Sequence, residues 1–160
     1  MTLVSRPVLA AQCTTPSGYV SLNASTAGRG VTCAGRRPSY WSTSQSYGDW
    51  TPPYFPTTVG GPGGHQATRF DDVFAPHYSG KTLLQVVSLQ GLGMDPANPV
   101  AQLIVAALLN AAKGWTPVLT VQAVKGIWSE YITTGAFSPS SGASWNASEI
   151  IEYVLTTTES

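Results

Sequence analysis

Two histidines, His65 and His77, enclose the adjacent aspartates Asp71 and Asp72. Imidazole and carboxylate in one segment can bind a metal ion or exchange protons at neutral pH. If the chain is a small secreted hydrolase, His77 with Asp71 or Asp72 is where the chemistry would sit. The plainer reading is that all four lie in an irregular stretch where polar residues are expected, with the aspartates capping a short helical turn at Val73-Phe74. Just downstream, Ala75-Pro76-His77-Tyr78-Ser79-Gly80-Lys81-Thr82 approaches a phosphate-binding loop. It has alanine in place of the first glycine, a stiffening proline, and no preceding apolar strand, so the start of a helix explains it better. The serines do not form a nucleophile elbow. Glu130 and Glu152 fall on outer helix faces and read as solvated, and the sequence yields no metal ligand set and no cofactor motif.

A second candidate is aromatic. Tyr40, Trp41, Tyr47, Trp50, Tyr54 and Phe55 crowd one stretch. Such rings either pack as a lid over a core or stand out as a platform for a sugar ring or a neighbouring subunit. On the second reading Tyr40, Trp41, Trp50 and Tyr54 are the binding residues of a carbohydrate-binding module. A third candidate is covalent: Cys13 and Cys33 flank a short Gly/Ser/Thr-rich stretch. In an oxidising compartment they close a loop worth roughly 3 kcal/mol; in the cytosol the same pair stays as thiols. Asn23-Ala24-Ser25 and Asn146-Ala147-Ser148 fit the glycosylation sequon, but Asn146 is better explained as a helix cap.

Composition narrows the classes. The chain has 160 residues, 42% of them apolar, and only 10% charged, with eight basic and eight acidic residues cancelling. Arg36-Arg37 is the sole basic pair, which argues against nucleic acid as a partner. A surface poor in charge must be covered by Ser, Thr, Asn, Gln and Gly, and near-zero net charge favours self-association. Val8-Leu9-Ala10-Ala11-Gln12 has the small-residue character of a signal cleavage region, so residues 1–12 read as the remnant of an export signal. Gln12 disfavours a lipid on Cys13. No apolar run reaches the length of a membrane span.

The elements that would hold these residues divide at about residue 80. In residues 13–35, Gly18-Tyr19-Val20-Ser21-Leu22 alternates like a strand, Gly28-Arg29-Gly30 marks a turn, and Val31-Thr32-Cys33 returns. A short β-hairpin tied by the cysteines is the expectation. Residues 36–80 show no sustained period and are rich in proline, glycine and aromatics. They are expected to wrap over the remainder.

Beyond them, four helices follow. Leu83, Leu84 and Val87 have helical spacing up to Gly91. Asn98 suits an N-cap, with Pro99 first in the helix, and an Ala/Leu-rich run leads to Lys113 with Gly114 as terminator. That helix carries a narrow polar or small stripe, Gln102, Ala106, Asn110 and Lys113, and is otherwise apolar, so it should be central. Thr120 caps a third helix to Thr134 with Val121, Val124, Trp128 and Tyr131 facing inward. Asn146 and Glu149 open a fourth carrying Ile150, Ile151 and Val154.

Ser39-Tyr40-Trp41, then Lys81-Thr82-Leu83-Leu84, then Val105-Ala106-Ala107-Leu108-Leu109-Asn110-Ala111-Ala112 resemble a loose bacterial family of exported proteins. In these a Tyr-Trp motif precedes a Leu-rich and an Ala/Leu/Asn-rich helix. The resemblance spans roughly residues 33–135 and implies export and a helical core, without an activity. Ser42 stands where that family often has lysine, and the asparagine–histidine pair nearby is absent.

The expectation is therefore one mainly α domain over residues 13–160. An irregular coat (13–80) covers a helical core (81–157) of about four helices. Functionally the chain reads as an extracellular, cell-surface or periplasmic structural component, partnered by copies of itself in a homo-oligomer or surface assembly, or by a glycan.

Overall fold

The computed structural model describes residues 13–21 and 31–159. Among these, seven α-helices and one 3-10 helix appear, with no sheet. They are α1 (Pro16–Val20), α2 (Pro38–Trp41), the 3-10 helix (Ser44–Asp49), α3 (Phe70–Val73), α4 (Leu83–Val87), α5 (Asn98–Lys113), α6 (Val121–Thr134) and α7 (Ala147–Leu155).

The four later helices form where the sequence places them, but α4 ends at Val87 with Ser88 as its C-cap and does not run on to Gly91. Thr82 caps α4 and Gln85 reaches back to the Thr82 backbone, a reciprocal capping box; Asn146 and Glu149 do the same for α7. Thr120 caps α6 by accepting from the Ala123 N–H. Gly114 and Gly135 end α5 and α6 in the left-handed region, at φ 83° and 88°, where a side chain would be strained.

Helix α5 is the axis of the molecule. Ten of its sixteen residues are buried, so it needs apolar neighbours on nearly every side. It gets them from α4 (Leu83, Val86, Val87), α6 (Val124, Ile127, Trp128), α7 (Ile150, Tyr153, Val154) and α2. On α6, Ile127 takes a buried place while Val121 and Tyr131 remain half-buried at its margin. No helix is long and apolar enough to cross a membrane among the described residues.

Two expectations need correction. The stretch read as the first strand of a hairpin is helical: Pro16–Val20 forms α1. Thr15 accepts from the Gly18 N–H and Pro16 presets the first turn, so local capping overrides the alternating pattern. Tyr19 then meets Trp145 and Tyr153 edge-on, at 5.7 and 5.4 Å between ring centres. The Gly28–Gly30 turn and the Val8–Gln12 segment lie outside the described residues.

At α5, Asn98 is the first helical residue rather than the cap. Asp95 serves the helix start instead, through its side chain to the Ala97 N–H and its carbonyl to the Asn98 N–H. The Asn98 side chain is thereby free to accept from the Tyr78 hydroxyl and donate to the Gly93 carbonyl.

The first half of the chain is more than a coat. Trp41, Trp50, Tyr54, Phe70, Phe74 and Tyr78 belong to the same continuous core as α5, and Trp41 and Phe70 are wholly excluded from solvent. Its irregular backbone follows from this role. Rings must be delivered at uneven intervals, and prolines and short helical turns do so where a regular element would impose its own period. The Cys13–Cys33 disulfide, with Cα atoms 5.8 Å apart, ties the α1 segment to the chain that enters the core at Gly35.

Candidate functional site

The Tyr-Trp motif and the Ala/Leu/Asn helix meet at one residue. Asn110, fully buried on α5, accepts from the Trp41 indole N–H (3.0 Å) and the Arg36 backbone N–H (2.8 Å), and donates to the Arg36 carbonyl (3.0 Å). An amide in an apolar interior is costly unless its hydrogen bonds are made. Here both ends are satisfied by a segment 74 residues upstream in sequence. Gly35 makes room for this: a Cβ there would lie 2.6 Å from the Thr157 carbonyl oxygen and 2.8 Å from Asn110 Nδ2. Beside it the chain exchanges backbone bonds with the C-terminal segment, Gly35 N–H to the Thr157 carbonyl and Glu159 N–H to the Gly35 carbonyl.

Of the four aromatics expected to bind, Trp41, Trp50 and Tyr54 are buried, at 0%, 6% and 8% exposure. Trp41 packs between Trp50, Tyr40 and Trp115, and the Trp50 indole N–H donates to Ser46 Oγ. Their faces are occupied by protein and offer no platform for a sugar. The lid reading holds for these three.

Tyr40 alone reaches the surface, and there it joins a circuit of side chains the sequence reading missed. Arg36 Cζ lies 5.1 Å from the Tyr40 ring centre and 6.0 Å from that of Trp115. Lys113 Nζ lies 5.8 Å from the Trp115 ring and 3.5 Å from Asp49 Oδ1, and the Tyr40 hydroxyl donates to Asp49 Oδ2. That hydrogen bond is the main reason the Tyr40 phenol is pushed above its ordinary pKa. Two cations thus share one indole. The spacing of Arg36, Tyr40, Lys113 and Trp115 gives no hint of this, because it is the Asn110 latch and the bond from the Ala34 N–H to the Trp115 carbonyl that bring the α2 segment against the end of α5.

The second cluster surrounds His77. Its imidazole Nε2 is 2.7 Å from Asp95 Oδ2, not paired with Asp71 or Asp72. Asp71 Oδ1 accepts the backbone N–H groups of His77 and Tyr78, at 2.9 and 3.0 Å, and so serves the turn after α3 as a cap. Asp72 is exposed. The carboxylate partner of His77 comes instead from the loop before α5, eighteen residues away. Asp95 is held below the ordinary carboxylate range, first by the Ala97 N–H and then by His77, against a contrary effect of burial. Tyr78, buried beside Trp128, is pushed well up by burial, with the Asp95 charge adding.

His65 is elsewhere, stacked on Phe55 with ring centres 3.9 Å apart. The four residues of the expected His/Asp cluster therefore separate into a stack, a cap, a clasp and an exposed carboxylate. Among the described residues no three His, Cys, Asp or Glu side chains gather as a metal site would require. The loop resembling a phosphate cradle is the approach to α4, with Thr82 as its cap. Glu130, expected to be merely solvated, accepts the Ser138 N–H at 2.9 Å.

Comparison with family models, with curated proteins and with solved structures yields no match to this chain.

Proposed function

We propose that the chain is an exported bacterial structural domain, a surface or extracellular component that works by being a stable and weakly charged body rather than by catalysis. The observation that carries this reading is the Cys13–Cys33 disulfide. Such bonds persist in oxidising compartments and are rare in the cytosol, and this one fastens a segment whose Tyr19 covers Trp145 and Tyr153. The low charge supports the same reading, since 10% charged residues leave little repulsion between copies. The His77–Asp95 pair supports a clasp: Asp95 also holds the start of α5, and neighbouring Tyr78 reaches Asn98.

The test is to produce the chain in an oxidising and in a reducing compartment, count thiols under denaturing conditions, and follow oligomeric state by light scattering as concentration rises. The reading expects no free thiol, a higher melting temperature for the oxidised protein, and reversible association. A reduced protein of equal stability that stays monomeric at every concentration would remove its basis.

A further inference from the structure

The circuit around Trp115 is built of charges that are only loosely neutralised. Arg36 reaches Glu159 at 3.9 Å and Lys113 reaches Asp49 at 3.5 Å, with these four side chains a third to a half exposed. Charge-assisted hydrogen bonds close to about 2.7–2.9 Å, so among the described residues neither cation has a tight carboxylate partner. Exposed pairs of this kind contribute roughly 0–1 kcal/mol, so each cation can turn toward another oxyanion, although Asp49 and Glu159 stay close by. The guanidinium is also held against two rings, which keeps its planar fork oriented. Trp41 backs Trp115 from below, so the indole is fixed in place.

We propose that Arg36 and Lys113, with Tyr40 and Trp115 between them, form a binding site for the carboxylates of an acidic polysaccharide, a chain of uronate sugars. A uronate ring carries its carboxylate beside a face of C–H groups. The first matches the two cations, and the second suits the half-exposed Tyr40 and Trp115 rings beside them. The cluster is open to solvent, so it suits an extended chain whose repeated charges rebind, in preference to a single small anion. A nucleic acid is a poorer fit, because its affinity depends on many phosphate contacts and this chain has eight basic residues in all, balanced by eight acidic ones. The proposal goes beyond the structural role above and does not depend on it. Binding can fail while export stands, and the reverse.

The experiment titrates the intact, oxidised protein with a galacturonate oligomer, with its neutral galactose counterpart, and with poly-glutamate, by calorimetry at low and high salt. Arg36→Gln, Lys113→Gln and, as a cation outside the cluster, Lys125→Gln are measured in parallel, each checked for folding by circular dichroism. The Arg36 backbone, which holds Asn110, is untouched by its substitution. The expected result is binding of the galacturonate oligomer that weakens with salt and falls about tenfold in each of R36Q and K113Q. K125Q should bind as the parent does, and the neutral oligomer should not bind. No binding of galacturonate, equal binding of poly-glutamate, or equal loss in K125Q would overturn it.

Discussion

Asn110 joins two parts of the chain that no local rule connects. Its amide closes three hydrogen bonds in a dry interior, so removing it strands the Trp41 indole N–H and the Arg36 backbone groups. Each buried group left unpaired costs about 1–3 kcal/mol, and we expect Asn110→Leu to lower unfolding stability by roughly 3 kcal/mol, read from urea melts. A change under 0.5 kcal/mol would mean that water or slippage satisfies those groups. The sequence shows the asparagine plainly, as one polar position in an apolar helix. It does not show the partner, because helical periodicity carries no information about a segment far upstream. Trp41 is likewise visible as an aromatic, but its burial depends on that partner.

Asp95 shows the same limit at the surface, since the spacing that suggested Asp71 or Asp72 for His77 counts residues and not the path of the chain. Its carboxyl pKa is depressed in the fold, so its contribution is complete above the ordinary value of 3.8 and is lost as pH falls through the lower, folded value. Stability measured against pH for the parent and for Asp95→Asn should show a gap that narrows as pH falls below about 4 and closes in strong acid. Curves that diverge on acidification would reverse the sign and refute the assignment.

At the scale of elements, local chemistry was the best guide. Thr82 with Gln85, Thr120, and Asn146 with Glu149 all cap helices as their types and spacing announce, and Gly114 and Gly135 end them. These signals act within one turn, which is why they can be read from the chain. The failure at Pro16–Val20 has the same cause. Thr15 and Pro16 are a legible helix start, and they outweighed a five-residue alternation too short to specify a strand without a partner.

Helix α1 is itself too short to persist alone. Its place rests on Tyr19, on the Tyr153 hydroxyl bond to the Thr14 carbonyl, and on the disulfide. Replacing both cysteines by serine should lower stability by about 3 kcal/mol while leaving the far-ultraviolet dichroism nearly unchanged. A double variant as stable as the parent would show that the α1 segment is held without the bridge.

For the whole molecule, a division at residue 80 is misleading in packing. Periodicity separates an irregular half from a helical half, yet the core draws on both, with Trp41, Phe70 and Tyr78 as deeply placed as much of α5. Irregular chain has no periodic face to read, so its buried positions follow from side-chain size and from what it meets. The same arrangement leaves Tyr40 at the rim while Trp41 beside it is sealed. The surface cluster around Trp115 is thus assembled by the way the two halves dock.

If both halves form one cooperative core, the Trp41 indole hydrogen is released only when α5 unfolds. Hydrogen exchange followed by NMR measures this directly, comparing the Trp41 Nε1–H with the backbone amides of Leu103 to Leu109. The account predicts equal protection, matching the global unfolding free energy and responding equally to denaturant. An indole hydrogen that exchanges orders of magnitude faster than those amides would contradict it, since the aromatic half would then open while the helices stay closed.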